Sequence, residues 1–109
     1  YEGIALSLDE RERLIADLGT HKAMILRNHG LLAAGGDVAQ AFHEIHFLER
    51  ACQAQVQALS GACELIYPSE EVRRHTAEQF DRDEAEEIIK LGWQAALSLI
   101  EDQRASYCS

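Results

Sequence analysis

The sequence predicts a mostly helical α/β chain that carries two short strands. Three observations lead there. From Val38 onward, apolar residues recur with the period of about 3.6 that marks a helix with one apolar face. Before it, Ala23-Met24-Ile25-Leu26 and Leu31-Leu32-Ala33-Ala34 are short continuous apolar runs on either side of Asn28-His29-Gly30. Runs of that length between turn signals suit strands, the first one buried on both faces. Finally, the 47% hydrophobic and 27% charged fractions, with only one Pro and seven Gly in 109 residues, argue against a disordered or collagen-like chain.

The first predicted helix covers Leu8–Leu18. Ser7-Leu8-Asp9-Glu10 has the Ser-x-x-Glu spacing of a capping box, Leu14, Ile15 and Leu18 follow, and Gly19 stands at the C′ position. After the two strands and their tight turn, Asp37 is a good N-cap for the long helix. Its stripe is Val38, Ala41, Phe42, Ile45, Leu48, Cys52, Val56 and Leu59, and Gly61 ends it. The other side carries Phe47, Ala51, Ala54 and Ala58 where a solvated helix would carry Lys and Glu, so a second partner is expected over it. Ser69 caps a short helix through Phe80, with Glu70 and Glu71 in its first turn. Asp83 begins the last helix, whose apolar face holds Ile88, Ile89, Gly92, Trp93, Ala96, Leu97 and Ile100 and which should fray near Arg104. Two short strands make no stable sheet by themselves, so their edges call for further strands.

Length and charge narrow the function. A chain of 109 residues holds one small domain or part of one, which rules out a multidomain enzyme. Ten Lys and Arg against nineteen Asp and Glu leave a formal charge of −9 without a basic patch, which argues against nucleic acid as a partner. No stretch approaches the ~20 apolar residues of a membrane span, and no secretory signal is present, so the chain reads as soluble and cytoplasmic. Cys52, Cys63 and Cys108 are odd in number and lack CxxC spacing, so reduced thiols are expected. The chain opens on Tyr1, and its one methionine, Met24, lies inside an apolar run, so a piece of a longer protein is expected.

Few residues are arranged for chemistry. His29, at the turn between two strands and followed by Gly30, can present its imidazole to a metal or substrate; the plainer reading is a turn histidine bonded to nearby backbone. A catalytic zinc takes about three protein ligands, and no HxH, HExxH or carboxylate cluster stands near His29 to complete such a set. His43 and His46 are three apart on the long helix, but at 100° per residue His46 falls at the edge of the stripe and His43 well round toward the other side, so they read as boundary residues satisfied by neighbours or water rather than a metal pair. Glu49 lies within the stripe and is expected to make a buried structural hydrogen bond. Cys52 and Trp93 read as core, and the acidic run over 70–87, broken by Arg73, Arg74 and Arg82, reads as a solvated face rather than a calcium loop.

Arg27-Asn28-His29-Gly30-Leu31-Leu32 resembles a motif of the class II aldolase/adducin family. The similarity extends to Tyr1-Glu2-Gly3-Ile4-Ala5-Leu6, Asp9-Glu10-Arg11-Glu12-Arg13-Leu14 and Ala23-Met24-Ile25-Leu26 before it, and to Ala41-Phe42, Leu48-Glu49-Arg50-Ala51-Cys52-Gln53 and Gln55-Val56-Gln57-Ala58-Leu59 after it. These later segments are similar to the adducin-like bacterial branch. The resemblance is strong through Gly61 and weaker in the C-terminal helices.

That resemblance implies a three-layer α/β/α sandwich with a mainly antiparallel sheet, of which residues 1–109 are the C-terminal portion. It implies a divalent metal, zinc or similar, held by a His-x-His pair from the earlier half together with the His of the Asn-His-Gly motif, here His29. The family's acid/base Glu also comes from the earlier half, so Glu49 does not inherit that role. The implied activity is a carbon–carbon bond lyase, an aldolase or a related epimerase or decarboxylase, acting on a small carbonyl substrate. Homotetramers are common among such relatives. The alternative is a non-catalytic adducin-like head used for assembly; an independent small helical binding module is a third reading, which leaves the unpaired strands unexplained. Residues 1–109 lack the His-x-His.

Overall fold

The computed structural model describes residues 8–80 and 84–107. The Ser7 cap, the Asp83 start and Cys108 lie outside them. Elements run α1 (Leu8–Leu18), β1 (Ala23–Leu26), β2 (Gly30–Ala33), α2 (Val38–Ser60), α3 (Glu70–Phe80), α4 (Glu84–Ser98), a 3₁₀ turn (Glu101–Gln103) and α5 (Arg104–Tyr107). The chain is thus mostly helical with two antiparallel strands, and it divides within α2 into two compact units, Tyr1–Gln53 and Ala54–Ser109.

In the first unit, α1 ends where Gly19 takes φ +55° and its N–H donates to Ile15 O at 3.0 Å, the left-handed closure that glycine adopts without cost. Leu14 and Leu18 are half-buried while Ile15 stays 70% exposed. β1 and β2 pair as a hairpin in the register Ala23↔Ala33, Met24↔Leu32, Ile25↔Leu31 and Leu26↔Gly30. A bond from Ala34 N–H to Lys22 O at 2.7 Å carries the pairing past the last register pair. The second strand begins one residue earlier than the apolar run, because Gly30 sits opposite Leu26. The expectation of a strand buried on both faces is corrected: Ile25 is 66% exposed and its neighbours only half-buried, since among the described residues β1 pairs with β2 alone.

α2 runs 23 residues. Its start is fixed by Asp37, whose Oδ1 accepts the Gln40 N–H at 2.8 Å. Its apolar stripe is half-buried from Ala41 to Ile45 and again at Leu48 and Cys52. Beyond that, Val56 and Leu59 are exposed, as are Phe47, Ala51, Ala54 and Ala58 on the other side. The end differs from the expectation in one detail: Gly61 N–H bonds Ala58 O at 3.3 Å, but the left-handed residue is Ala62, with φ +50°.

In the second unit, Ser69 Oγ accepts the Val72 N–H at 3.3 Å and caps α3 as predicted. The acidic run is a solvated surface in its described part, where Glu70 pairs with Arg73, Glu78 with Arg74 and Glu86 with Lys90, all exposed and within one helical turn. α4 stops at Ser98, six residues short of Arg104. Leu99 and Ile100 donate to Ala96 and Leu97 at 3.2 and 3.1 Å, i→i−3 bonds that tighten the chain into the 3₁₀ turn. Trp93, Ala96 and Leu97 are half-buried as expected, whereas Ile88 is 61% exposed. Among the described residues no apolar side chain is fully buried, so the predicted core positions, Cys52 and Trp93 included, line surfaces that are only partly covered.

Candidate functional site at the hairpin tip

The hairpin decides where His29 goes. Leu26 closes the last register pair with Gly30, leaving Arg27, Asn28 and His29 as the connecting loop. The His29 N–H donates to Leu26 O at 3.1 Å, which makes residues 26–29 a hydrogen-bonded turn. Asn28, the third residue of that turn, has φ +56°, a region open to glycine and, more readily than to most side chains, to asparagine. Gly30 follows with φ +156°. A Cβ there would meet nothing within 4 Å, so among the described residues its glycine serves backbone conformation rather than close packing. His29 is exposed at the tip, between two residues of positive φ.

Sequence spacing alone finds His29; it does not find the geometry of Asn28. The signal was present, since Asn before a strand start is a residue that tolerates the left-handed region, but spacing does not say which turn residue will adopt it.

Next to the tip lies an open groove of about 560 Å³, lined by Gly30 and Leu31 of β2 and by Phe42, Ile45, His46 and Glu49 of α2. His29 is not among its lining residues. The rings on α2 pack along the helix: Phe42 stacks on His46 at 5.8 Å, and His43 lies 4.7 Å from Phe47. His43 and His46 are therefore engaged with phenylalanines, and no group of three His, Cys, Asp or Glu able to hold a metal occurs among the described residues. Glu49 is exposed, contrary to the buried hydrogen bond expected of it; its Oε1 accepts Gln53 Nε2 at 3.0 Å on the same helix face. The stripe reaches solvent there because nothing described covers it. Cys52 and Cys63 are free thiols, the latter exposed with its Sγ 3.2 Å from Gly61 O.

For a metal, the described donor set amounts to one exposed imidazole of suitable chemistry at the hairpin tip. That fits a single ligand position and cannot make a complete site. No described helix is long and apolar enough to cross a membrane.

Comparison with known proteins bears on the same segment. Residues 2–56, which contain α1, the hairpin and most of α2, match the family described as Class II Aldolase and Adducin N-terminal domain. A Pseudomonas aeruginosa protein named after the class 2 aldolases is 38% identical over 98% of this chain and 42% of its own length. Human gamma-adducin is 44% identical over 63 residues, which are 57% of this chain and 9% of that protein. The crystal structure of an aldolase II superfamily protein from Pseudomonas syringae superposes with a TM-score of 0.73 at 43% identity, covering 98% of this chain and 42% of that one. This chain spans less than half the length of each of these relatives. A helix, a hairpin with Asn-His-Gly at its tip and a long following helix, matched in sequence and in backbone, place the chain in the class II aldolase/adducin family.

Proposed function

We propose that this chain is the C-terminal portion of a metal-dependent class II aldolase-like lyase, in which His29 is one ligand of a divalent metal, zinc by preference. The observation that carries the reading is the exposed His29 at the tip of a hairpin that lies wholly inside the family-matched segment. The full domain on this reading is the three-layer α/β/α sandwich, its further strands covering the β1–β2 edges and its earlier half supplying the remaining ligands and the acid/base carboxylate. The substrate is a small carbonyl compound, and the reaction is carbon–carbon bond cleavage or a related epimerisation or decarboxylation.

Within this chain the chemistry is one of presentation. The hairpin holds His29 off the strand ends, and a neutral imidazole there offers a nitrogen lone pair to a cation. A divalent metal bound at such a site supplies Lewis-acid polarisation of a carbonyl or enediolate oxygen. Glu49 stays outside this role, tied to Gln53. A homo-oligomer, a tetramer by family likeness, would cover the exposed Phe47, Ala51, Ala54 and Ala58 side of α2.

A second reading is favoured by the likeness to human gamma-adducin, 44% identical over 63 residues: a head domain that assembles and does no chemistry. One experiment separates them. In the full-length protein, His29→Ala should lower zinc content, read by plasma mass spectrometry, and any lyase activity, with the circular dichroism spectrum unchanged. Unaltered metal occupancy would withdraw the role of His29 and leave the assembly reading.

A further inference from the structure

We propose that Asn28 is a positioning residue: its left-handed backbone, rather than its side-chain amide, sets the direction in which His29 leaves the hairpin. The inference rests on the reading of His29 as a metal ligand and adds to it the residue that aims that ligand.

Among the described residues only Asn28 and Ala62 combine a side chain with positive φ, and Asn28 directly precedes the one histidine at the hairpin tip. Three features define the loop in which residue 28 is left-handed. Leu26 is bound to Gly30 by the strand register, His29 N–H is tied back to Leu26 O at 3.1 Å, and Gly30 leaves the loop at φ +156°. A residue that prefers negative φ at position 28 must either store the left-handed cost or move the loop to another closure, such as a type I turn, and at an exposed tip the turn rearranges more cheaply than the paired strands. When it does, the Cα–Cβ bond of His29 swings, because the peptide plane between residues 28 and 29 rotates. A metal ligand displaced in this way is lost even though the imidazole is still present, since ligation demands placement to within a few tenths of an ångström.

Two substitutions isolate the backbone term. Asn28→Ala and Asn28→Gly delete the same amide and introduce no new bulk, so they cannot clash wherever Asn28 fits; they differ in how readily they adopt positive φ. In the full-length protein, zinc affinity by competition with a chromophoric chelator and the visible spectrum of the cobalt(II)-substituted form are measured for both, alongside His29→Ala and the thermal midpoint of each metal-free variant. Asn28→Ala is expected to weaken zinc binding on the order of 5- to 30-fold, the factor set by the left-handed cost, and to alter the cobalt spectrum. Asn28→Gly is expected to bind as the parent does. Equal weakening in both variants would assign the effect to the amide and overturn the proposal, as would normal binding in Asn28→Ala or a loss seen only in the thermal midpoint. If His29→Ala itself binds zinc normally, the ligand reading fails first. If His29→Ala fails to bind while Asn28→Ala binds normally, only the positioning role falls.

Discussion

Asp37 and Gln40 cap the long helix reciprocally: the Asp37 carboxylate accepts the Gln40 N–H at 2.8 Å, and the Gln40 side-chain oxygen accepts the Gly36 N–H at 2.6 Å. Each residue satisfies a backbone donor that the start of a helix would otherwise leave open. This pair joins the hairpin to α2 and so helps fix where the site segment ends.

Removing that cap should cost about 1 kcal/mol, the usual value for an N-cap carboxylate. Asp37→Ala is expected to lower the urea midpoint of the full-length protein, while Asp37→Asn, which keeps the acceptor, should stay close to the parent. Equal midpoints for Asp37→Ala and the parent would show that the helix start is held by packing instead.

The two glycines before the cap should respond differently. A Cβ on Gly35 would lie 2.6 Å from Ala41 N and 2.9 Å from Gln40 Cβ, so Gly35→Ala forces the helix start to shift. On Gly36 it would approach only the Gln40 side-chain oxygen, at 3.3 Å, and that side chain can move. Gly35→Ala is expected to destabilise by about 1–3 kcal/mol, in the range of overpacking costs, and Gly36→Ala by less. Thermal unfolding of both variants checks the order.

Ala62 holds φ +50° just past the end of α2, a conformation in which alanine is strained and glycine is not. Ala62→Gly is expected to stabilise by roughly 0.5–1 kcal/mol, the relieved strain less the entropy that glycine adds to the unfolded chain. A lower thermal midpoint in the variant would mean the left-handed turn is not kept.

The 109 residues taken alone should not behave as a stable, well-folded monomer. Ile25 and Val56 are 66% and 63% exposed, Ile66 and Leu99 96% and 83%, and no described apolar side chain is fully buried. Exposure on this scale leaves too little buried area to offset the chain entropy of folding. Light scattering and amide exchange at micromolar concentration should find association or loss of protection; a protected monomer would revive the independent helical module.

Much of this was legible in the sequence because it is local. The span of α1, the Asp37 start of α2, the Ser69 cap and the hairpin around Asn28-His29-Gly30 follow from residues a few positions apart, through capping, turn chemistry and periodicity. His29 as the residue at the tip, and the family it signals, were legible for the same reason. Burial was not. Periodicity marks which face of β1 or α2 is apolar but not whether anything lies against it, so it predicts Ile25 and Glu49 to be covered when both face solvent. Turn detail was also decided in three dimensions. The left-handed residue after α2 is Ala62 rather than Gly61, and α4 tightens into a 3₁₀ turn beyond Ser98, because hydrogen bonds among several residues settle such ends jointly. Sequence alone determined the elements, the motif and the family; the left-handed placement of Asn28 beside His29 came only with the three-dimensional closure of the loop, in which Leu26 pairs with Gly30 and the His29 N–H bonds Leu26 O.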